Sequence, residues 1–141
     1  MPYRKDLKDA ARRHFRAAEE LHNAAGAGSQ PGCRAVAGYL FGISGELCVK
    51  AMMSESGIHP PKDSQERGHP YYAHFPELKA KLRDYVQGRR SEHLRRLAES
   101  QALFSHWDVK MRYAPTSDIP EERVGKWRQE AKALIDQMED S

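Results

Sequence analysis

Apolar residues recur at three- and four-residue steps along most of the chain, which is the spacing of one face of an α-helix. The first such stretch covers about 4–25 and ends at a glycine-rich break. The second covers about 29–56, with Ser29 placed to cap it and Pro31 in its first turn. The pattern therefore predicts two long helices at the start of the chain.

Three further helices are predicted after a long loop. The loop runs from 57 to 70, and the helices cover about 75–86, 91–105 and 121–139, with another loop region before the last of them. We find no segment with the alternating pattern of a β-strand. The sequence therefore predicts an all-α fold, an antiparallel bundle of about five helices, formed by one domain over residues 1–141.

The second predicted helix is apolar on nearly all sides, as is typical of the central helix of a bundle. Gly38, Gly42 and Gly45 lie on it at four- and three-residue spacing. Each glycine costs up to about 1 kcal/mol in helix propensity, so their alignment indicates a close approach by another element. Two interpretations stay open at this point: tight packing within the domain, or a seam between two copies of the chain.

Composition and charge narrow the function only slightly. The 141 residues carry a net charge of +3 and the isoelectric point is about 8.9, which permits contact with nucleic acid without requiring it. No apolar run reaches the roughly 18 residues that span a bilayer, and the N-terminus lacks an apolar signal-peptide core. Cys33 and Cys48 are about 22 Å apart along one predicted helix, too far for a disulfide. We expect a reduced, cytoplasmic protein with no membrane partner.

Three segments, in order along the chain, resemble the HEPN family. GELCVKAM at 45–52 is similar to that family's Glu-x-x-x-Lys-Ala helix, HFPEL at 74–78 to its His-x-x-x-Leu entry into the next helix, and WDVKMRY at 107–113 to its Arg-Tyr segment. The resemblance covers most of the chain and implies a helical bundle that commonly dimerises. Many family members are metal-independent ribonucleases of toxin–antitoxin or phage-defence systems, and others are binding or assembly modules.

The resemblance also names the residues that an active member needs. Such members carry an Arg and, a few residues later, a His near the last helix; the His transfers a proton and the Arg neutralises the phosphate. Arg112 stands at the expected place, but no His follows it. A displaced pair would combine Arg112 with His74 or His106. The sequence therefore favours a binding or assembly module over an enzyme, with a metal-independent endoribonuclease as the alternative.

Two clusters of polar residues are further candidates. Glu46 and Lys50 are four residues apart on a mostly apolar helix, so they form either a surface pair or, with Arg112, a buried polar knot that fixes the final loop. The densest basic cluster is either a phosphate-binding surface or a solvated helix face. Its members are Arg89, Arg90, His93, Arg95 and Arg96.

We predict no cofactor and no metal. His59, His69 and His74 crowd one loop, but their spacing fits no compact ligand set. Cys48 has apolar neighbours, which favours a core residue over a nucleophile. The expected partners are a second copy of the chain in a homodimer, a cognate protein and RNA.

Overall fold

The computed structural model describes residues 4–26, 31–59, 68–85 and 92–140. The described residues form five α-helices and three short 3-10 turns, and they contain no β-strand. The helices are α1 Leu7–Gly26, α2 Pro31–Glu55, α3 Glu77–Tyr85, α4 Glu92–Glu99 and α5 Glu121–Asp140. The predicted all-α bundle of about five helices is therefore confirmed.

The helix bounds follow the sequence pattern except at the end of α4. The prediction extended this helix to 105, but it ends at Glu99. Phe104 and His106 have positive φ angles of 52° and 67°, a left-handed conformation that a right-handed helix cannot continue. The predicted loop before α5 contains 3-10 turns at Val109–Tyr113 and Thr116–Asp118. The predicted cap Ser29 lies outside the described residues.

The core of the bundle is formed by α1, α2 and α5. The Ser44 hydroxyl of α2 donates a 2.8 Å hydrogen bond to the Ala11 carbonyl of α1, and Lys8, nearer the start of α1, pairs with Glu55 at the end of α2. These two helices are therefore antiparallel. Two ion pairs show that α1 is also antiparallel to α5: Arg12 with Glu139, and Glu19 with Arg128. Because α1 is antiparallel to both, α2 and α5 run in the same direction. The segment that contains α3 and α4 returns the chain from the end of α2 to the start of α5.

Side chains of the same chain pack against the glycine stripe of α2, which is formed by Gly38, Gly42 and Gly45. A Cβ atom at Gly42 would lie 2.0 Å from the Trp107 ring, and one at Gly45 would lie 2.6 Å from the Phe104 ring. At Gly38 the nearest atom, 3.0 Å away, belongs to the Val124 side chain of α5. The close approach predicted from the stripe is therefore packing within the domain, and much of it is made by side chains from the loop after α4.

Burial in the bundle accounts for the apolar character of α2. Within the described ranges, one helical segment, Cys33–Glu55, is long and apolar enough to cross a membrane by length and composition alone. Of its apolar window, 72% is buried inside the protein. The segment thus has the burial of a central core helix.

Candidate functional site

Glu46 is a buried carboxylate that holds the segment leading into α3. The residue is 2% exposed, its Oε2 lies 2.9 Å from Nδ1 of His74, and its Oε1 accepts a 2.8 Å hydrogen bond from the backbone N–H of Phe75. Burial raises the pKa of Glu46, and the hydrogen bonds from His74 and Phe75 act against that rise. The carboxylate therefore orients an imidazole and anchors the backbone at once.

The His74 ring has one nitrogen committed and one available. Its side chain is 50% exposed although Glu46 is buried. With Glu46 ionised, Nδ1 donates to the carboxylate, and Nε2 is the nitrogen left for another partner. A histidine oriented in this way can accept or donate a proton.

Lys50 is buried beside the same cluster. It is 8% exposed, and its Nζ lies 5.8 Å from the centroid of the Tyr71 ring; Nζ of Lys5 lies 5.3 Å from that centroid. Burial lowers the pKa of Lys50, while the Glu46 carboxylate acts in the opposite direction. Two cations thus share the ring of Tyr71, and Lys50 joins α2 to the 3-10 turn at Pro70–Tyr72.

Arg112 is not the partner of Glu46, which corrects the predicted polar knot. Hydrogen bonds to the hydroxyl groups of Tyr39 and then Tyr113 raise the pKa of Arg112. Tyr39 and Glu46 are seven residues apart on α2, which is about 10 Å along the helix axis. Glu46 and Lys50 are both buried, as the predicted knot required. The side chain that pairs with Glu46 is His74, whereas the prediction named Arg112.

The structure does not bring the predicted catalytic pair together within one chain. His74 is hydrogen-bonded to Glu46, whereas the groups that bond Arg112 are Tyr39 and Tyr113. His106 lines a separate cavity at the start of α5. The described contacts therefore assign each of the three residues to a different set of neighbours.

Arg112 belongs to an exposed aromatic surface. Its guanidinium lies 4.9 Å from the centroid of the Tyr113 ring, and Tyr113 is 76% exposed. Tyr39 stacks on the buried Trp107, with ring centroids 5.8 Å apart and an interplanar angle of 18°. Val36, one turn earlier on α2, is 50% exposed. We call Tyr39, Arg112 and Tyr113 the Arg112 platform.

His106 lines a cavity of about 220 Å³, which we call the His106 pocket. The other side chains around it are Ser105, Glu122, Arg123, Lys126 and Trp127. The indole N–H of Trp127 donates a 3.0 Å hydrogen bond to the Ser105 carbonyl, so this ring is a wall of the pocket rather than a free donor. Arg123 and Lys126 were not singled out from the sequence. Their three-residue spacing near the start of a predicted helix was a signal that could have placed them side by side.

The predicted basic cluster is described only in part. Arg89 and Arg90 lie outside the described residues. The other three members are exposed on α4: His93, Arg95 and Arg96. Arg96 lies 3.9 Å from Glu92, and these side chains are 78% and 79% exposed, so the contact is a weak surface pair. Arg95 and Arg96 thus belong to a solvated helix face, opposite the buried Leu94.

The site is defined by its own geometry, with no help from a metal cluster among the described residues or from a matching protein. Among the described residues, no group of three or more His, Cys, Asp or Glu side chains is placed to hold a metal ion. The chain matches no family model, no curated protein and no solved structure. The resemblance to the HEPN family therefore stays a prediction, and the functional proposal depends on the geometry.

Proposed function

We propose that the protein is a binding module for single-stranded RNA, a HEPN-like helical domain that acts in a toxin–antitoxin or phage-defence system. Its expected protein partners are a cognate protein or a second copy of the chain. The observation that carries the proposal is the Arg112 platform, in which an arginine lies against a tyrosine ring that is 76% exposed.

The platform has the chemistry that single-stranded RNA requires. An aromatic ring that stacks on a base contributes about 1–3 kcal/mol, and it does so for every base because each has a flat face. The guanidinium adds a permanent charge and a planar set of donors for phosphate oxygens. Since Tyr39 is stacked on the buried Trp107, this ring of the platform is held in place before the ligand arrives, which lowers the entropic cost of binding.

Fluorescence anisotropy with a labelled single-stranded RNA oligonucleotide tests the proposal. We expect Tyr113→Ala and Arg112→Ala each to weaken binding by about tenfold, since each removes one stacking or charged contact. Tyr72→Ala is the matched control, because Tyr72 is also exposed, at 42%, but lies on the turn before α3. A folded wild-type protein that does not bind RNA, or a Tyr113→Ala variant that binds as well as wild type, would refute the proposal.

A metal-independent ribonuclease is the second candidate, and the Glu46–His74 hydrogen bond favours it. A carboxylate-oriented imidazole is suited to move the proton of an attacking 2′-hydroxyl. Because Arg112 has different neighbours, an active site that used both His74 and Arg112 would need a second copy of the chain. Cleavage of an RNA pool in EDTA, abolished by His74→Ala and by Arg112→Ala, would establish the enzyme. Absence of cleavage by the folded wild type would reject it.

A further inference from the structure

The His106 pocket has the size and the donors for a compact anion. Its volume of about 220 Å³ is below the range of about 300–1,000 Å³ for sites that enclose drug-sized ligands. Four of the lining side chains carry hydrogen-bond donors: Ser105, His106, Arg123 and Lys126. Glu122 contributes a carboxylate, which only accepts hydrogen bonds when ionised. A ligand built of acceptor atoms, such as a phosphate group, complements this lining.

The charges around the pocket also favour an anion. Two permanent cations and one carboxylate give the lining a net charge of +1 with His106 neutral and +2 with His106 protonated. In the part of the chain that the structure describes, no ion pair within 4.0 Å involves Glu122, Arg123 or Lys126. The positive end of the α5 dipole adds to the same potential, because these residues lie in the first two turns.

Beyond the lining, Lys126 interacts electrostatically with Glu130 on α5. Its carboxylate accepts a 2.9 Å hydrogen bond from the backbone N–H of Phe104. Burial raises the pKa of Glu130, while that hydrogen bond and the charges of Lys79 and Lys126 act against the rise. Lys126 therefore interacts with Glu130 over a distance greater than that of an ion pair, and its ammonium is left to contact a ligand.

A set of contacts through buried residues connects the pocket with the Arg112 platform. Trp127, a wall of the pocket, would lie 3.1 Å from a Cβ atom at Gly38. The Gly38 carbonyl accepts a 3.1 Å hydrogen bond from the indole N–H of Trp107, and Trp107 stacks on Tyr39 of the platform. The anion pocket and the base-stacking surface thus share one end of the bundle.

We infer that the His106 pocket binds the terminal monophosphate of an RNA strand, a base of which stacks on the Arg112 platform. This inference rests on the proposed RNA binding. A terminal phosphate carries a charge of about −1.5 to −2 at neutral pH, since its second pKa is near 6. An internal phosphodiester carries a single charge. The net positive lining therefore favours the strand end, which carries the larger charge.

Competition binding tests the inference. An internally labelled RNA would be displaced by unlabelled strands of one sequence that end in a 5′-phosphate, a 3′-phosphate or hydroxyl groups only. We expect one of the phosphorylated ends to bind about tenfold more tightly than the hydroxyl ends, the gain from one charge-assisted hydrogen bond. Arg123→Ala and Lys126→Ala should remove that preference and keep hydroxyl-end binding. Glu122→Gln should increase the preference, and Lys132→Ala, on an exposed part of α5, should leave it unchanged.

Each outcome separates the inference from the proposed function. RNA binding that depends on Tyr113 but ignores the strand end would overturn the terminal-phosphate pocket and leave the binding module standing. Failure of wild type to bind any of the strands would overturn both. Inorganic phosphate or adenosine monophosphate that competes as well as the phosphorylated strand would show a site for a free anion, and would overturn the assignment to an RNA end.

Discussion

The ring of Trp107 occupies the space in which a side chain at Gly42 would stand. A Cβ atom at Gly42 would lie 2.0 Å from Cε2 and 2.1 Å from Nε1 of the indole, and that N–H is bonded to the Gly38 carbonyl at 3.1 Å. The indole has no room to move away without losing this hydrogen bond. The loop after α4 is thereby fastened to the middle of α2.

Gly42→Ala should therefore destabilise the protein. Overpacking of a filled core costs about 1–3 kcal/mol, and the rigid indole places this substitution at the upper end. Gly125→Ala on α5 is the matched control, since a Cβ atom there would meet no neighbouring atom within 4 Å and alanine favours the helix by about 1 kcal/mol. Urea denaturation of both variants measures the difference. Equal stabilities would contradict the packing described for Trp107.

Glu46→Ala should cost more stability than Glu46→Gln. The alanine variant leaves the buried Phe75 N–H without its acceptor, at a cost of about 1–3 kcal/mol. Glutamine keeps an oxygen at that position and removes a charge whose burial is unfavourable, as the raised pKa of Glu46 indicates. Thermal melts and hydrogen exchange at the Phe75 amide provide the measurement. If glutamine were as damaging as alanine, the carboxylate charge rather than the acceptor would hold the turn.

Lys50 should make stability rise with pH on the alkaline side of neutrality. Burial lowers its pKa in the folded protein below the ordinary 10.5, so between these two pKa values the unfolded chain binds more protons than the folded one. Under that condition the free energy of unfolding increases as pH increases. Lys50→Met should remove this part of the slope. Burial also lowers the pKa of Lys79, which adds its own slope in both proteins. The quantity to compare is therefore the difference between wild type and variant in the slope of unfolding free energy against pH, from about pH 7 to 10. Identical slopes would show that Lys50 is solvated.

Cys48 should be unreactive in the folded protein. Burial, with a smaller effect of Glu139, raises the pKa of this thiol to about 12, so almost none of it is thiolate near neutral pH. In a Cys33→Ser variant, a thiol-specific disulfide reagent at about pH 8 should label Cys48 rapidly only after denaturant is added. Equally fast labelling of native and denatured protein would mean that α2 opens to solvent, against its central position.

The positions of the helices could be predicted from the sequence, because a helix depends on contacts between residues three and four positions apart. Pro31 opens α2, and the apolar spacing located α5 at its observed start, Glu121. The one large error, the end of α4, has a different origin. Phe104 turns back to lie against Gly45, and that contact decides the conformation of the loop rather than the propensity of its own residues.

The partners of the polar residues were decided only by the tertiary structure. The sequence marked Glu46 as a carboxylate that needed a partner, but the choice of His74, 28 residues away, follows from how α2 packs against the turn before α3. Likewise His106 was a candidate from the sequence, and only the packing of α5 put Arg123 and Lys126 beside it. Periodicity reports which face of a helix is buried, whereas the distance between two side chains depends on the positions of whole helices. For that reason the sequence by itself determined the all-α class and the central position of α2, and the fold determined which charges meet.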